Sequence, residues 1–414
     1  MERVVSAFGA LVLLGIAYAL CPGDRRRHVR WRTIATGSAV LLVFALVVLK
    51  TPARAAFVWA DARVKDLLDF SHEGAKFLFG KLVTETSFGY VFAFQVLPTI
   101  IFFAALMSVL YYVRLMPFVV RQCGRALARW LGTSGAESFS TVADVFVGQT
   151  EAPLVIRPYL AGLTLSELHA CMVAGFATTA GGVLLAYVGM LSPYVPEIGG
   201  HLIACSVMCA PASLVVAKLL LPETGKPQTS GESRIDVPPS GTNVLDAIAA
   251  GTSDGVRLAV NVGAMLVAFV ALAALANSVI GWASGLVLAE PLSLEKILGW
   301  AFAPIAWLMG VPSADVTKVG SLLGQKTVFT EFIAYSNMSD QLSRDPSWLS
   351  ERGRLIASYA LCGFANFASI GIQIGGYSGL APERRSDLSR LALRAMVGGS
   401  LTTCLVAAVA GALA

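Results

Sequence analysis

Charge is what this chain has least of. Asp, Glu, Lys and Arg make up 14% of its 414 residues, against 56% hydrophobic, where a soluble domain carries about 25% charged residues. With a mean hydropathy of +0.70, this balance excludes a soluble globular protein and identifies an integral membrane one. Histidine is also scarce, with four copies scattered at 28, 72, 169 and 201. The seven cysteines contain no Cys-x-x-Cys pair and mostly sit inside apolar runs, so neither a metal cluster nor a disulfide framework is supported. No nucleophile motif and no phosphate-binding loop is present, which argues against a membrane enzyme. The net charge of +5 comes from arginines clustered in loops, as membrane topology requires, so no nucleic-acid partner is invoked.

What is there is a series of apolar runs near 4–20, 34–50, 91–113, 167–191, 200–221, 258–288, 354–376 and 392–412. Each approaches the roughly 20 residues that cross a hydrocarbon core, which predicts eight crossings. The basic cluster "CPGDRRRHVRWR" (21–32), placed in the cytoplasm, puts Arg114 to Arg129 and Arg384 to Arg394 on the same side and both termini outside. Segment 51–90 mixes both charge signs and reads as an external amphipathic helix. The positive charges follow the first run and no small-residue cleavage site is evident, unlike a signal peptide, so it is expected to remain as a helix. A polar stretch rich in Gly, Pro and Ser at 222–243 divides the chain as a linker.

Self-similarity runs across that linker. "GQTE" at 148 precedes "SELHACMVAGFATTAGG" at 166, and "GQKTVFTE" at 324 precedes "SERGRLIASYALCGFANFASIGI" at 350. Counting spans gives the copies opposite orientations, the pattern of secondary transporters whose site lies where two inverted halves meet. At "VGQTEAPL", Gly148 permits a tight turn and Pro153 suits a first helical turn. The predicted hairpin has one half-helix ending at Val147, a turn at Gly148–Thr150, and a second half-helix from Glu151. A second hairpin is predicted over 304–335, with turns at Gly310–Pro312 and Gly324–Gln325.

Non-helical backbone at membrane depth survives only where it is buried in protein or lines a wet cavity. The first tip offers the Gln149 amide, the Thr150 hydroxyl and the Glu151 carboxylate. Glu331 sits in the apolar stretch "VFTEFIAY", where an ionisable group costs about 2.5–3.5 kcal/mol on insertion scales and marks function. The alternative is a structural carboxylate paired with Arg157 or Lys326. Thr178, Thr179, Asn366 and Ser369 add polar groups in the broken helices, although Ser and Thr also bond to their own helix backbone. The inventory fits an uncharged ligand rich in hydroxyls and amide-like edges, flat enough to stack on Phe364.

Together "GQTEAPLVIRPYL", "SELHACMVAGFAT", "GQKTVFTEFIAY" and "GFANFASIGIQIGG" resemble the concentrative nucleoside transporter family, cation-coupled importers of nucleosides. The resemblance covers roughly residues 90–412 in the family's motif order. It implies an all-α membrane protein of about eight transmembrane helices plus two re-entrant hairpins in an inverted repeat, with interfacial helices. It also implies a homotrimer that moves its substrate elevator-fashion; the short loops and the absence of a long N-terminal domain lead to the expectation of a bacterial inner membrane. The segments then divide into N-terminal scaffold helices with the external helix (1–115), a first transport repeat (116–221) and the cytoplasmic linker (222–243). An interfacial helix with a scaffold helix (244–292) and a second transport repeat (293–414) follow. Matched motif to motif, Gly148, Gln149, Thr150, Glu151, Val183 and Phe364 would meet the nucleobase, and Glu331, Asn366 and Ser369 the ribose.

The family's sodium site uses an Asn four residues before the hairpin glycine, where this chain has Asp144. With the Val147 carbonyl, Thr178 and the Thr179 carbonyl, an ionised Asp144 would give oxygen ligands for Na+. The same acid, desolvated, could instead carry a proton. A transporter of the same build for a free base or modified nucleoside is the nearest rival reading, and a passive channel a more distant one.

Overall fold

The computed structural model describes residues 1–52, 54–84, 92–230, 242–286, 288 and 291–414. Among them every regular element is helical, because a backbone in hydrocarbon must satisfy its polar groups within its own segment. Half of the predicted linker, residues 231–241, lies outside the described residues, as do 53 and 85–91 around the predicted external helix.

The chain opens with α1 (Glu2–Ala19) and α2 (Trp31–Lys50), followed by α3 (Arg54–Phe79) and the short α4 (Lys81–Thr84) in the predicted external segment. A turn of helix, α5 (Phe92–Gln95), leads to α6 (Leu97–Tyr112), α7 (Leu115–Leu131), α8 (Gly135–Asp144), α9 (Ala152–Val155), α10 (Leu165–Ala177), α11 (Gly181–Leu191) and α12 (Ile198–Leu220). After the linker come α13 (Val244–Gly285), α14 (Leu294–Leu308), α15 (Val316–Val328), α16 (Glu331–Arg344), α17 (Glu351–Leu361), α18 (Phe367–Leu380) and α19 (Arg385–Leu413). From α6 to α12 and from α13 to α19 the elements recur in the same order. Each set has an apolar helix, a helix before the hairpin, two hairpin limbs, two halves of a broken helix and a closing helix.

Seven helical segments among the described residues are long and apolar enough to cross a membrane. The eighth predicted crossing, 354–376, is two shorter helices, α17 and α18, separated at Cys362–Asn366. The closing helices are central, with 83% and 78% of their apolar windows buried for α12 and α19, whereas only 6% of that of α13 is buried. Helix α13 is continuous over 42 residues, about 63 Å at 1.5 Å per residue. The interfacial helix expected inside 244–292 is therefore absent as a separate element, and its counterpart is α14. The cause is local: Asn243 caps α13 by accepting the Asp246 N–H, and an apolar-rich run then continues without a proline.

The ends of α1 identify two faces. At its start, Arg352 ion-pairs with Glu2 at 3.4 Å and donates to the carbonyls of Gly310 and Gly411, which gathers the chain's two ends and the loop before α15. Beyond its other end, His28 and Arg30 share a cavity wall with Gly132, Thr133 and Ser134, which lead into α8. An 18-residue helix spans about 27 Å, so the two hairpins enter from opposite faces, as an inverted repeat requires. Each hairpin base is clamped by an arginine of the second repeat. Arg384 donates to the Ala161 and Leu163 carbonyls after the first hairpin, and Arg354 to those of Leu349 and Tyr194 beside the second.

Candidate functional site

The first tip is longer than predicted. Helix α8 stops at Asp144 rather than Val147, and residues 145–151 turn before α9 begins, with Glu151 as its N-cap and Pro153 in its first turn. Gly148 has φ +94°, and a Cβ there would lie 2.6 Å from the Ala180 side chain. Glycine is thus required twice over, by conformation and by contact. The tip is pinned to the break between α10 and α11 where the Gly181 N–H donates to the Phe146 carbonyl at 3.2 Å.

The second tip differs from its prediction. Gly324 and Gln325 are not in a turn but inside α15, and the chain breaks at Phe329–Thr330 instead. Gly324 is there for packing, since a Cβ would meet Leu298 of α14 at 2.4 Å. Gln325 joins the two limbs by accepting from Asn337 at 2.9 Å. The predicted turn at Gly310 does hold, with φ +76°. The Gly-Gln match between the repeats is therefore coincidental, while the matched acids stand at equivalent places: Glu151 occupies the N-cap position of α9 and Glu331 opens α16, each at the positive end of a helix.

The two helix breaks touch each other. Gly363, with φ +90°, donates its N–H to Thr179 Oγ1 at 2.8 Å, and a Cβ on it would meet the Ala177 carbonyl at 2.4 Å. The carbonyls freed at the end of α17 are taken up by Lys326, whose buried ammonium donates to Ala360 O at 2.9 Å, Cys362 O at 3.0 Å and Thr403 Oγ1 at 3.1 Å. Lys326 therefore serves as a cap for a broken helix. Arg157, the other partner considered for the acids, is exposed at the start of a short 3-10 turn.

Tips and breaks converge on one cavity of about 190 Å³. From the first repeat its wall includes Val147, Gly148, Gln149, Thr150, Glu151 and Val183; from the second, Glu331, Phe364, Asn366 and Ser369. Glu331 is held from two sides, accepting from Tyr187 Oη at 3.0 Å and from Asn366 Nδ2 at 2.8 Å. Asn366 in turn caps α18, its Oδ1 accepting the Ser369 N–H at 2.8 Å. Asn366 and Ser369 thus meet through a capping turn rather than as neighbours on a helix face. A carboxylate fixed by two donors keeps lone pairs for more, and paired hydroxyls are its natural complement.

Gln149 is oriented by a chain of fixed polarity. Gln373 Nε2 donates both to the Met172 carbonyl at 3.1 Å and to Gln149 Oε1 at 3.0 Å. A backbone carbonyl can only accept, so this end of Gln373 must be the amide nitrogen, and the group it meets on Gln149 must be the oxygen. The Gln149 nitrogen is left as the donor for the cavity.

Asp144 lies just outside the cavity wall, fully buried, and neither carboxylate oxygen has a hydrogen-bond partner among the described residues. Thr178 and Thr179 are also buried. The Thr178 hydroxyl donates to Ala174 O at 3.0 Å. A buried carboxylate with no hydrogen-bond partner among the described residues is strongly disfavoured unless a cation or a proton compensates it.

Several contributors escaped the sequence reading. Tyr187 is a single hydroxyl in the apolar run of α11. Helix α13 supplies an opposite wall of Leu258, Val262, Met265 and Leu266 with one polar group, Asn261. Gln373 left a usable signal, since Asn366, Ser369 and Gln373 recur at helical spacing.

Comparison with known proteins identifies the family. Residues 201–411 match the family described as Na+ dependent nucleoside transporter C-terminus, residues 8–82 its N-terminus, and residues 93–194 a domain described as nucleoside recognition. The chain is 44% identical over 413 residues to an uncharacterized transporter, YutK, of Bacillus subtilis, covering 99% of each. It is 39% identical over 425 residues to sodium/nucleoside cotransporter 1 of Rattus norvegicus, covering all of this chain and 64% of the rat protein. The fold superposes on CNTnw in an inward-facing substrate-bound state with TM-score 0.93 and 43% identity, covering 100% and 98% of the two chains. On an outward-facing variant of that protein the TM-score is 0.92, at 42% identity and the same coverage. These matches rule out the enzyme reading: the chain belongs to the concentrative, Na+-dependent nucleoside transporter family.

Proposed function

We propose that this chain is a symporter that imports nucleosides across a bacterial inner membrane, drawing on a cation gradient. The observation that carries the reading is the single cavity into which both tips and the second break project, with Glu331 already oriented by Tyr187 and Asn366. In this reading Glu331, Asn366 and Ser369 bind the ribose hydroxyls. Gln149, Thr150 and Glu151 meet the base edge, with Gly148 allowing close approach and Val183 and Phe364 packing on the base. Because Gln149 presents a nitrogen donor, it pairs with a carbonyl or ring-nitrogen acceptor on the base.

The coupling ion in this proposal is Na+, held by Asp144, the Val147 carbonyl, Thr178 and the Thr179 carbonyl. Its charge would compensate the buried acid, and the tip between Asp144 and Gly148 links that site to the base-binding residues. A proton on Asp144 is the second reading, favoured by one observation: the carboxylate is buried and without a partner. Alternating access would move the two hairpins with α10–α12 and α17–α19 as one body past α13, elevator-fashion, in a homotrimer. Both termini would face the periplasm; their meeting at Arg352 supports only that they share one face.

The test is uptake into proteoliposomes under separately imposed Na+ and proton gradients. Accumulation of uridine driven by the Na+ gradient, with competition by other nucleosides but not by free bases, is the expected result. Equilibration without accumulation would favour a channel. Competition by bases alone would favour the nucleobase transporter of the same build.

A further inference from the structure

On the nucleoside reading of the main cavity, we infer that Asn261, on the α13 wall, is a specificity-determining residue that hydrogen-bonds the exocyclic 5′-hydroxyl of the sugar. Its amide lines the cavity and has no hydrogen-bond partner among the described residues. An amide on an otherwise apolar membrane helix is costly unless something satisfies it.

Helix α13 passes both hairpin tips with a single face. Asp254, Leu258, Asn261, Met265 and Phe269 recur at spacings of three and four residues, which sets them in one stripe along the helix. Near the start of the stripe, Asp254 lies within electrostatic range of Glu151 on the first tip. Further along, the ring of Phe269 meets Phe329 at the second tip, with centroids 6.2 Å apart. These two landmarks are separated by about 22 Å of helix at 1.5 Å per residue, and Asn261 stands midway between them in sequence. It therefore faces the middle of a solute that reaches from one tip to the other.

The chemistry of the solute says what that middle is. With the paired hydroxyls at C2′ and C3′ given to Glu331, Asn366 and Ser369, and the base edge to Gln149, Thr150 and Glu151, one polar group of a nucleoside is left. It is the 5′-hydroxyl, carried by C4′ on the same face of the sugar as the base. On the α13 wall Leu258, Val262, Met265 and Leu266 offer it no hydrogen bond, whereas Asn261 offers both a donor and an acceptor. A wall built this way also discriminates, because an analogue without the hydroxyl leaves the amide unpaired. The contact comes from α13 and not from either hairpin, so on the proposed mechanism it is made and broken as the hairpins pass.

The experiment is calorimetric titration of the purified full chain with uridine and with 5′-deoxyuridine, in wild type, Asn261→Leu and Asn261→Ser. Two substitutions are used so that the result does not hang on one of them folding. Wild type should bind uridine more tightly than 5′-deoxyuridine by about three- to tenfold, the worth of one neutral hydrogen bond. Each variant should lose that ratio through weaker uridine binding, while its affinity for 5′-deoxyuridine stays near the wild-type value and shows that it folds. A wild-type ratio near one, or a ratio that the variants keep, overturns the role of Asn261 alone. Failure of wild type to bind uridine at all overturns the nucleoside reading, and this role with it.

Discussion

The two hairpin tips carry equivalent acids but are built to different stiffness. In the second, a 13-residue limb and a 14-residue limb meet at a two-residue break, and Glu331 is 4% exposed and gripped by Tyr187 and Asn366. In the first, seven residues turn between α8 and a four-residue helix, and Glu151 and Thr150 stand exposed to the cavity. A preoriented carboxylate suits the invariant part of a nucleoside, the sugar. A longer loop suits the part that varies, the base. Under the proposed function, the inverted repeat would thus supply one fixed and one longer recognition surface from the same layout.

This contrast predicts a graded response to substitution. The largest effect belongs to Glu331→Gln, which removes a charged acceptor and turns one of its oxygens into a donor facing Tyr187 or Asn366. Charge-assisted bonds of about 1.5–3 kcal/mol each imply a loss of uridine affinity of roughly 100-fold by calorimetry on the purified protein. A change under threefold would remove Glu331 from the site. Next, Gly148→Ala forces a side chain to φ +94° and against Ala180. Strain of about 1–3 kcal/mol should weaken uridine binding roughly tenfold or more while α15 and α16 keep their protection in hydrogen exchange. Wild-type affinity would mean that the first tip does not shape the pocket.

A smaller effect is expected of Gln373→Leu, since the residue touches Gln149 and not the cavity itself. Freed of its donor, the Gln149 amide can rotate. Affinity should drop by a few-fold, about the net worth of one neutral hydrogen bond, and discrimination between uridine and cytidine should narrow. Equal losses for both nucleosides would leave Gln373 as packing alone. Smallest in its effect on nucleoside affinity is Asp144→Asn at saturating Na+. Its signature lies in the cation dependence of uptake, which should shift in apparent Na+ affinity or in pH response. Identical Na+ and pH curves for wild type and variant would dismiss Asp144 from coupling.

How much of this was legible in the sequence follows from the length scale of each feature. The membrane class, the inverted halves and the acids are statements about composition and order, and they carried through to the structure. The turns did not fare so well, because glycine has two uses. Gly148 and Gly310 adopt positive φ, whereas Gly324 is helical and admits Leu298 of α14, and a one-dimensional pattern does not separate the two cases. Tyr187 and the wall from α13 were invisible for another reason: their roles depend on helices distant in sequence coming together. Lys326 was considered as a partner for Glu331, but the carbonyls it caps exist only because α17 ends at Leu361.

The central claim, that both tips close on one nucleoside, is tested most directly by a structure of this protein determined with uridine bound. The account predicts the ribose hydroxyls within hydrogen-bond distance of the Glu331 carboxylate, and a base acceptor on the Gln149 amide nitrogen in the same complex. Uridine contacting only one tip, or lying outside the space between residues 151 and 331, would contradict it.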